Sequence, residues 1–375
     1  MKLFEYQAKE LFEEAGIAVP KSVLIDEQSD FPVAIAGLTA PYVLKSQVLS
    51  GKRGKAGLIR FADNAEKAAD EARSLFGGGQ GVKKILLVQD FNIAQEVYLA
   101  VTVDAAKARA LVISCAEGGM DIEELAAAAS DKIRYTLIDM AVGALDYQCR
   151  DIAYGLGFEG DIAKQIAAVV KKLYGVFVKY DAELAEINPL FITKEGAVVA
   201  GDGKFIIDDN SAFRQKRFEI NRDYFTSDAE YESYLEGIPY LQFDGDISLM
   251  CAGAGLTTTV FDLINYSGGT VANYLEFGGA NYKKAVRAME LCLKNTNAKV
   301  ILIVTFGTIA RADVMAEGIK SAIETLKPAV PIIVCIRGTN EEAAAETLRS
   351  IGLDPLYDTE EAVALAVKTA KEAGV

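Results

Sequence analysis

Histidine is absent from all 375 residues. It is the usual general base near neutral pH and the usual transition-metal ligand. Ser–His and Cys–His nucleophiles and histidine metal clusters are therefore excluded within the chain. Catalysis must rest on carboxylates, lysines, arginines and a bound ion, or on a group lent by another molecule. Cysteine is sparse: Cys115, Cys149, Cys251, Cys292 and Cys335 are scattered, odd in number and form no CxxC. That favours buried thiols in a reducing cytoplasm over a disulfide framework or a zinc site. Long apolar runs are missing too. The stretch around Val300 to Val304 is strand-sized and too short to span a bilayer. The opening MKLFEYQAKELF sets acids and a lysine where a secretion signal needs apolar residues, so a cytoplasmic protein is expected. Positive charge is in deficit: a formal net charge of -14 disfavours nucleic acid and anionic membrane as partners.

What is present suits a soluble protein of two or three domains, with 51% hydrophobic and 25% charged residues. A helical pattern from Leu3 to Ala15 is closed by Gly16 and Pro20. Strand-like runs follow at Tyr42–Lys45, Leu58–Phe61, Ile85–Gln89, Val97–Thr102 and Ala110–Ser114, with a helix near Ala65–Phe76. Ile162, Ile166, Val169, Val170, Leu173 and Phe177 recur at helical spacing and predict an amphipathic helix. From Phe213 to about Gly245 the chain is polar and aromatic, and reads as a connection between domains over 1–228 and 240–375. Beyond it, Ile247–Cys251, Thr270–Leu275, Val300–Thr305 and Ile332–Ile336 are each followed by a Gly-bearing loop and a helical stretch, and a last helix covers Thr359–Glu372. That repetition predicts an α/β unit with a parallel sheet covered on both faces. The loops Ala252–Gly255, Phe277–Ala280 and Phe306–Ala310 fall at the strands' carboxyl ends, where such sheets bind ligands. AGAGLTT lacks the third glycine of a dinucleotide fingerprint.

The stretch Glu186–Lys204, EINPLFITKEGAVVAGDGK, reads as a β-hairpin turning at Lys194-Glu195-Gly196. A turn centred on Glu195 sets Asn188 opposite Asp202 and Glu186 opposite Lys204. Alternation puts these four on one face, apolar near the turn and polar at the open end. An amide and two carboxylates there suit a hard divalent cation such as magnesium. A hairpin ending in solvated polar residues is the plainer alternative.

Ser50-Gly51-Lys52-Arg53-Gly54-Lys55-Ala56-Gly57 packs three cations among three glycines after the strand ending at Lys45. Glycines admit phosphate oxygens close to the backbone, and Arg and Lys add charge-assisted donors. The spacing is not that of a P-loop, and a mobile basic surface loop fits this stretch alone equally well. In sequence order there is a lysine at a strand end, a basic flap, a candidate hinge over Leu86–Glu96 and paired metal ligands. That order indicates an ATP-dependent ligase of the ATP-grasp type.

The chain resembles the β subunit of succinyl-CoA synthetase (succinate–CoA ligase) over nearly its whole length. The resemblance is carried by LFEYQAKELF (Leu3–Phe12), VLKSQVLSGKRGKAG (Val43–Gly57), QEVYLA (Gln95–Ala100) and EGGMDIEE (Glu117–Glu124). EINPL, DGK, GAGL, ANYLEFGGA (Ala272–Ala280) and FGTIARAD (Phe306–Asp313) continue it. It implies an ATP-grasp domain followed by a flavodoxin-like, doubly wound ligase domain, in a hetero-oligomer of the tricarboxylic acid cycle. In that family ATP phosphorylates a histidine of a separate α subunit, which also binds CoA. The phosphoryl group passes to a small carboxylate, and CoA displaces phosphate. By resemblance, Lys45, Lys52, Arg53 and Gly54 would contact ATP phosphates, and Arg53 would offset the moving charge. Glu96 would reach the ribose, and Gln89 with Phe91 or Asn92 would line the adenine pocket. Asn188 and Asp202 would hold Mg2+, and Glu186 would face the partner's histidine as orienter or base.

The departures from that family gather in two places. In the flap Lys52 replaces a glycine, and in the hinge Gln89 replaces a glutamate. At the acid-binding loops Ala252 stands where the family has Asn, Thr308-Ile309-Ala310 replaces Gly-Ile-Val, and Arg337 stands where an acid is usual. The acid is therefore succinate or another small carboxylate. Two other functions compete: a stand-alone ATP-grasp ligase joining a carboxylate to an amine, and a nucleotide-binding protein without catalysis. The acids Asp121, Glu123 and Glu124 read as a helix N-terminus rather than a second metal site.

Overall fold

Alternation decides the first sheet. Tyr42, Leu44 and Ser46 are buried while Val43 and Lys45 are partly covered, the period of two that a strand with one packed face requires. The computed structural model describes residues 1–49, 53–54, 56–90, 92–120, 130–220, 222–277 and 283–373. It divides the chain into two compact units, Met1–Ile220 and Asn221–Val375.

The first unit opens with helix α1 (Glu5–Glu14) and holds two antiparallel sheets. The smaller runs in the order β1 (Ser22–Asp26), β4 (Lys84–Gln89), β2 (Tyr42–Ser46), β3 (Ile59–Ala62). Helices α2 (Phe31–Ile35) and α3 (Ala65–Gly77) cover it, with Ala68, Ala72 and Leu75 of α3 packed on Leu44, Ile85 and Leu87. The larger sheet comprises β5 (Ile93–Asp104), β6 (Arg109–Cys115), β7 (Arg134–Ile138), β8 (Ala182–Thr193), β9 (Val198–Ala200) and β10 (Lys204–Ile207). Its order is β10-β8-β5-β6-β7, with β9 also paired to β8. Helix α4 (Asp146–Gly155) precedes α5 (Gly160–Lys179), which buries Ile166, Val169, Val170, Leu173 and Phe177. Each such side chain contributes ~1.5–3 kcal/mol when withdrawn from water. Residues before α1 also join this sheet: the Leu3 amide donates to Phe205 O (2.8 Å) and the Ile207 amide to Met1 O (2.8 Å).

Several elements were not anticipated. β7 is an edge strand with Arg134 and Tyr135 exposed, and α2 is five residues with proline in its first turn, so neither carries a clear period. The hinge reading of Leu86–Glu96 is corrected: these residues span two strands, β4 and β5, which lie in different sheets. The expected connection Phe213–Gly245 is corrected as well. It contains helix α6 (Asp228–Glu236) and strand β11 (Tyr240–Gln242). α6 lacks apolar periodicity because ion pairs hold it: Glu232 meets Arg287 (2.6 Å) and Lys294 (2.6 Å), and Glu236 meets Arg287 (2.6 Å).

The second unit holds one sheet, ordered β11, β13 (Val271–Glu276), β12 (Ile247–Cys251), β14 (Val300–Gly307), β15 (Ile332–Gly338). The last four are parallel and β11 runs antiparallel at the edge. Both faces are covered, so the strands are apolar at nearly every position. On one face Ile301 and Ile303 pack with α8 (Ala285–Leu293), α9 (Ala312–Leu326) and α10 (Glu341–Arg349). On the other, Leu302 and Val304 pack with α7 (Ala254–Tyr266) and α11 (Thr359–Glu372). Among the parallel strands the chain order across the sheet is second, first, third, fourth, which is flavodoxin-like winding. Its switch point lies between β12 and β14, where ligands of open α/β sheets bind.

Candidate functional site

The hairpin turns where its sequence asks it to. Gly196 takes the left-handed φ of +82°, and its amide donates to Thr193 O (3.0 Å). The register runs Ile192 to Val198, Leu190 to Ala200 and, past an interruption, Glu186 to Lys204. Asn188 and Asp202 fall within that interruption, which the Gly201 amide closes on Pro189 O (2.9 Å).

Each of these two side chains is already engaged. The Asn188 carboxamide accepts from the Gly119 amide (2.8 Å) and donates to Met120 O (2.8 Å). Gly119 sits at φ +77°, and a Cβ there would lie 2.2 Å from Glu96 Oε2. This turn therefore packs on the expected ribose ligand while it orients the expected metal ligand. Both Asp202 carboxylate oxygens accept from Arg53 Nη2 (3.0 and 2.7 Å), and the Gly203 amide donates to Oδ1 (2.7 Å).

Arg53 and Lys45 do not face open solvent. Lys45 Nζ donates to Glu5 Oε1 (3.0 Å) and Gly201 O (2.9 Å), and lies 3.8 Å from Asp202. Arg53 Nη1 donates to Glu5 Oε2 (2.6 Å), and Lys9 Nζ lies 2.8 Å from Glu5 Oε1. The Glu5 side chain is 1% exposed and yet touches three cations. Burial pushes its carboxyl upward, but Lys45, Lys9 and Arg53 outweigh that and hold it well below the usual glutamate range. Burial likewise pulls Lys45 down, while Asp202 and then Glu5 overcome it and raise the amine above its ordinary value. For Lys9 burial wins, and its pKa is lowered. Sequence reasoning missed Glu5 and Lys9 as site residues. The available signal was their i, i+4 spacing on a helix whose other buried positions are apolar.

Glu186 is mostly buried, and its carboxyl is raised by that burial; Lys204 and hydrogen bonds from Asn188 and Tyr98 oppose the shift. A raised carboxyl is a stronger proton acceptor than an ordinary glutamate. Gln89 ends β4 and accepts from the Thr39 amide (3.5 Å). Asn92 is exposed, with its carbonyl bonded to the Lys194 amide (2.9 Å). Glu96 lies on β5, and Gly54 sits in a turn after Arg53. Lys52 and Phe91 lie outside the described residues, as do Asp121, Glu123 and Glu124 and part of the Phe277–Ala280 loop.

The donor set fits magnesium rather than zinc. Among the described residues no three cysteine, aspartate or glutamate side chains gather for a metal. One carboxylate and one carboxamide, with phosphates and water to complete the shell, is the small oxygen set magnesium takes.

In the second unit the Ala252 amide donates to Val304 O (3.0 Å) at the switch point. Thr308, Ile309 and Ala310 follow β14, with the Ile309 side chain fully exposed. Arg337 pairs in register with Phe306, and its guanidinium donates to Glu341 (2.9 Å) and Tyr357 O (3.1 Å). All five cysteines are free and buried. No described helix is long and apolar enough to cross a membrane.

An ATP-grasp domain model matches residues 2–192 and a CoA-ligase model residues 250–369. The chain is 58% identical over 370 residues to the ADP-forming sulfoacetate-CoA ligase subunit SauC of Bilophila wadsworthia, covering 99% of each. The chain belongs to the β-subunit family of ADP-forming CoA ligases. It is 54% identical over 371 residues to subunit SqwK of the same kind of ligase from Acholeplasma sp, covering 99% of this chain and 92% of that one. The β subunit of the succinate–CoA ligase of Pyrobaculum calidifontis is 39% identical over 381 residues, covering 99% of this chain and 100% of that one. ATP citrate lyase from Methanothrix soehngenii shares the fold, with a TM-score of 0.73 at 21% identity over 98% of this chain and 99% of that one. The α/β architecture of ATP-grasp plus CoA-ligase domains is thereby established, and so is membership of a ligase family whose members are named as subunits. The succinate of the original resemblance, and with it the tricarboxylic acid cycle, does not follow from these likenesses.

Proposed function

We propose that this chain is the nucleotide- and magnesium-binding subunit of an ATP-dependent acid–CoA ligase whose acid is sulfoacetate. The overall reaction is ATP, acid and CoA to acyl-CoA, ADP and phosphate. The observation that carries the nucleotide assignment is the buried set of Lys45 and Arg53 against Asp202 beside Asn188 and Glu186. Lys45 and Arg53 bind and orient the phosphates, together with Gly54 and Lys52. Asn188 and Asp202 hold magnesium, which neutralises phosphate charge when bound. Glu186 orients a histidine of the partner α subunit or takes its proton as the phosphoryl group arrives. The chain has no histidine of its own to receive that group. Glu96 meets the ribose, and Gln89 with Phe91 or Asn92 lines the base. The partner brings CoA.

Two facts support sulfoacetate over succinate. The relatives named for sulfoacetate are 58% and 54% identical, whereas the succinate enzyme is 39% identical. The altered residues Ala252, Thr308, Ile309, Ala310 and Arg337 gather at the carboxyl edge of one sheet, while Lys45, Arg53, Glu186, Asn188 and Asp202 keep the family pattern. A lost hydrogen-bonding side chain and a reversed charge change which acid a pocket accepts. The test is ADP release by the co-expressed subunit pair against a panel of small mono- and dicarboxylates and their sulfonated analogues. Sulfoacetate should exceed succinate in kcat/KM by at least roughly a hundredfold. Succinate matching or exceeding every other acid overturns the substrate. Acyl-CoA formation by this chain alone overturns the subunit assignment.

A further inference from the structure

A carboxylate on the first turn of α1 should have no part in a nucleotide site that lies on β2, the flap and the hairpin. Yet Glu5 spends both its oxygens there: Oε1 on Lys45 (3.0 Å) and Lys9 (2.8 Å), Oε2 on Arg53 (2.6 Å). Its reach depends on the residues before α1, which pair with β10 two residues beyond Asp202 and bring the helix start to the hairpin's open end. Stability does not account for the arrangement. Replacing buried ion clusters by apolar side chains of similar volume is commonly neutral or stabilising. What the cluster does achieve is geometric. Lys45 and Arg53 come from different segments, and one rigid helix ties both. Lys9, Lys45 and Arg53 outnumber Glu5 and Asp202, leaving one positive charge over for an anion.

We infer that Glu5 is a positioning residue of the phosphate site, holding Lys45 and Arg53 aimed for the nucleotide. The inference rests on the reading of those two cations as phosphate ligands. Groups facing Glu5 are Lys9 from its own helix, Lys45 from β2 and Arg53 from the flap, with Asp202 of the hairpin behind Lys45 and Arg53. With Glu5 neutral, three cations crowd one carboxylate, and Lys45 and Arg53 lose the charged acceptor that fixes their direction.

The experiment compares steady-state kinetics of the assembled subunit pair carrying Glu5→Gln with wild type. The KM for ATP should rise roughly tenfold to a hundredfold, as expected for loss of charge-assisted hydrogen bonds. The KM values for acid and CoA should not move. The double variant Glu5→Gln/Lys9→Met removes one charge of each sign and keeps the charge balance of the cluster. It should regain melting temperature but keep the raised ATP KM, and Glu5→Asp should recover part of the affinity. If Glu5→Gln does not fold, the double variant and Glu5→Asp carry the comparison. A wild-type ATP KM in Glu5→Gln, or an ATP KM restored in the double variant, overturns the inference and leaves Glu5 a charge-balancing group. Lys45→Met separates the two levels. If it too leaves ATP binding unchanged, the reading of the phosphate site fails; if it abolishes binding while Glu5→Gln does not, only the role of Glu5 fails.

Discussion

The open end of the hairpin in the first unit and the carboxyl edge of the sheet in the second are built on opposite plans. At the hairpin, five charged side chains from four separate segments meet with little exposure, all but Lys9 bonded to residues distant in sequence. At the sheet edge, Ala252 and Thr308 to Ala310 sit on loops after strands, and Arg337 near the end of β15, where the strands' own residues form two apolar layers. The first site cannot lose Glu5 or Asp202 without leaving buried cations underpaired, at a cost of ~3–5 kcal/mol. The second can exchange a loop residue without disturbing the layers beneath it. That asymmetry gives a physical reason for a buried hairpin cluster that keeps its residues and an acid end that changes them.

The strongest way to break the contrast is at the hairpin. Asp202→Asn should lower ADP release by the subunit pair by roughly two to three orders of magnitude, because positioning and electrostatics dominate phosphoryl transfer. A loss below tenfold would mean that the carboxylate only balances Arg53. Glu186→Gln should reduce kcat by about a hundredfold while leaving the ATP KM in place. The raised carboxyl of Glu186 must be ionised to take a proton, so wild-type activity should fall as pH drops through a value above the ordinary glutamate range. The glutamine variant should lack that acid limb, and a pH–rate profile distinguishes them.

At the sheet edge the expected effect is on selectivity. Ala252→Asn combined with Arg337→Glu should move kcat/KM roughly tenfold toward succinate relative to sulfoacetate with the ATP KM unchanged. Collapse of the melting temperature instead would show that these loops are as constrained as the hairpin. Gly118→Ala probes the turn that orients Asn188. Its Cβ would meet the Val97 backbone at 2.7 Å, so calorimetry should find ~1–3 kcal/mol of lost stability. The smallest effect concerns acid. Glu5 is held below its ordinary value of 4.5, so its stabilisation is complete above that pH and drains as pH falls through the lowered folded value. Glu5→Gln should flatten the decline in melting temperature over that interval, and an unchanged slope would count against the buried cluster.

Local pattern reached far into this fold. Period two and a turn glycine placed Glu186 against Lys204, and a 3.6-residue period placed the buried face of α5. Runs apolar at nearly every position announced strands buried on both faces. The same reasoning stopped at α6, held by Glu232 and Glu236 rather than an apolar stripe.

The absence of histidine, the basic glycine-rich flap and the carboxylates of the hairpin are properties of the chain order, and they limited the chemistry before any coordinates were known. Which charges meet is a property of the fold alone. Periodicity fixes the face a side chain occupies, but Glu5 reaches Arg53 only because the first residues of the chain join the sheet beside Asp202. A pairing between segments so distant in sequence leaves no local period to read.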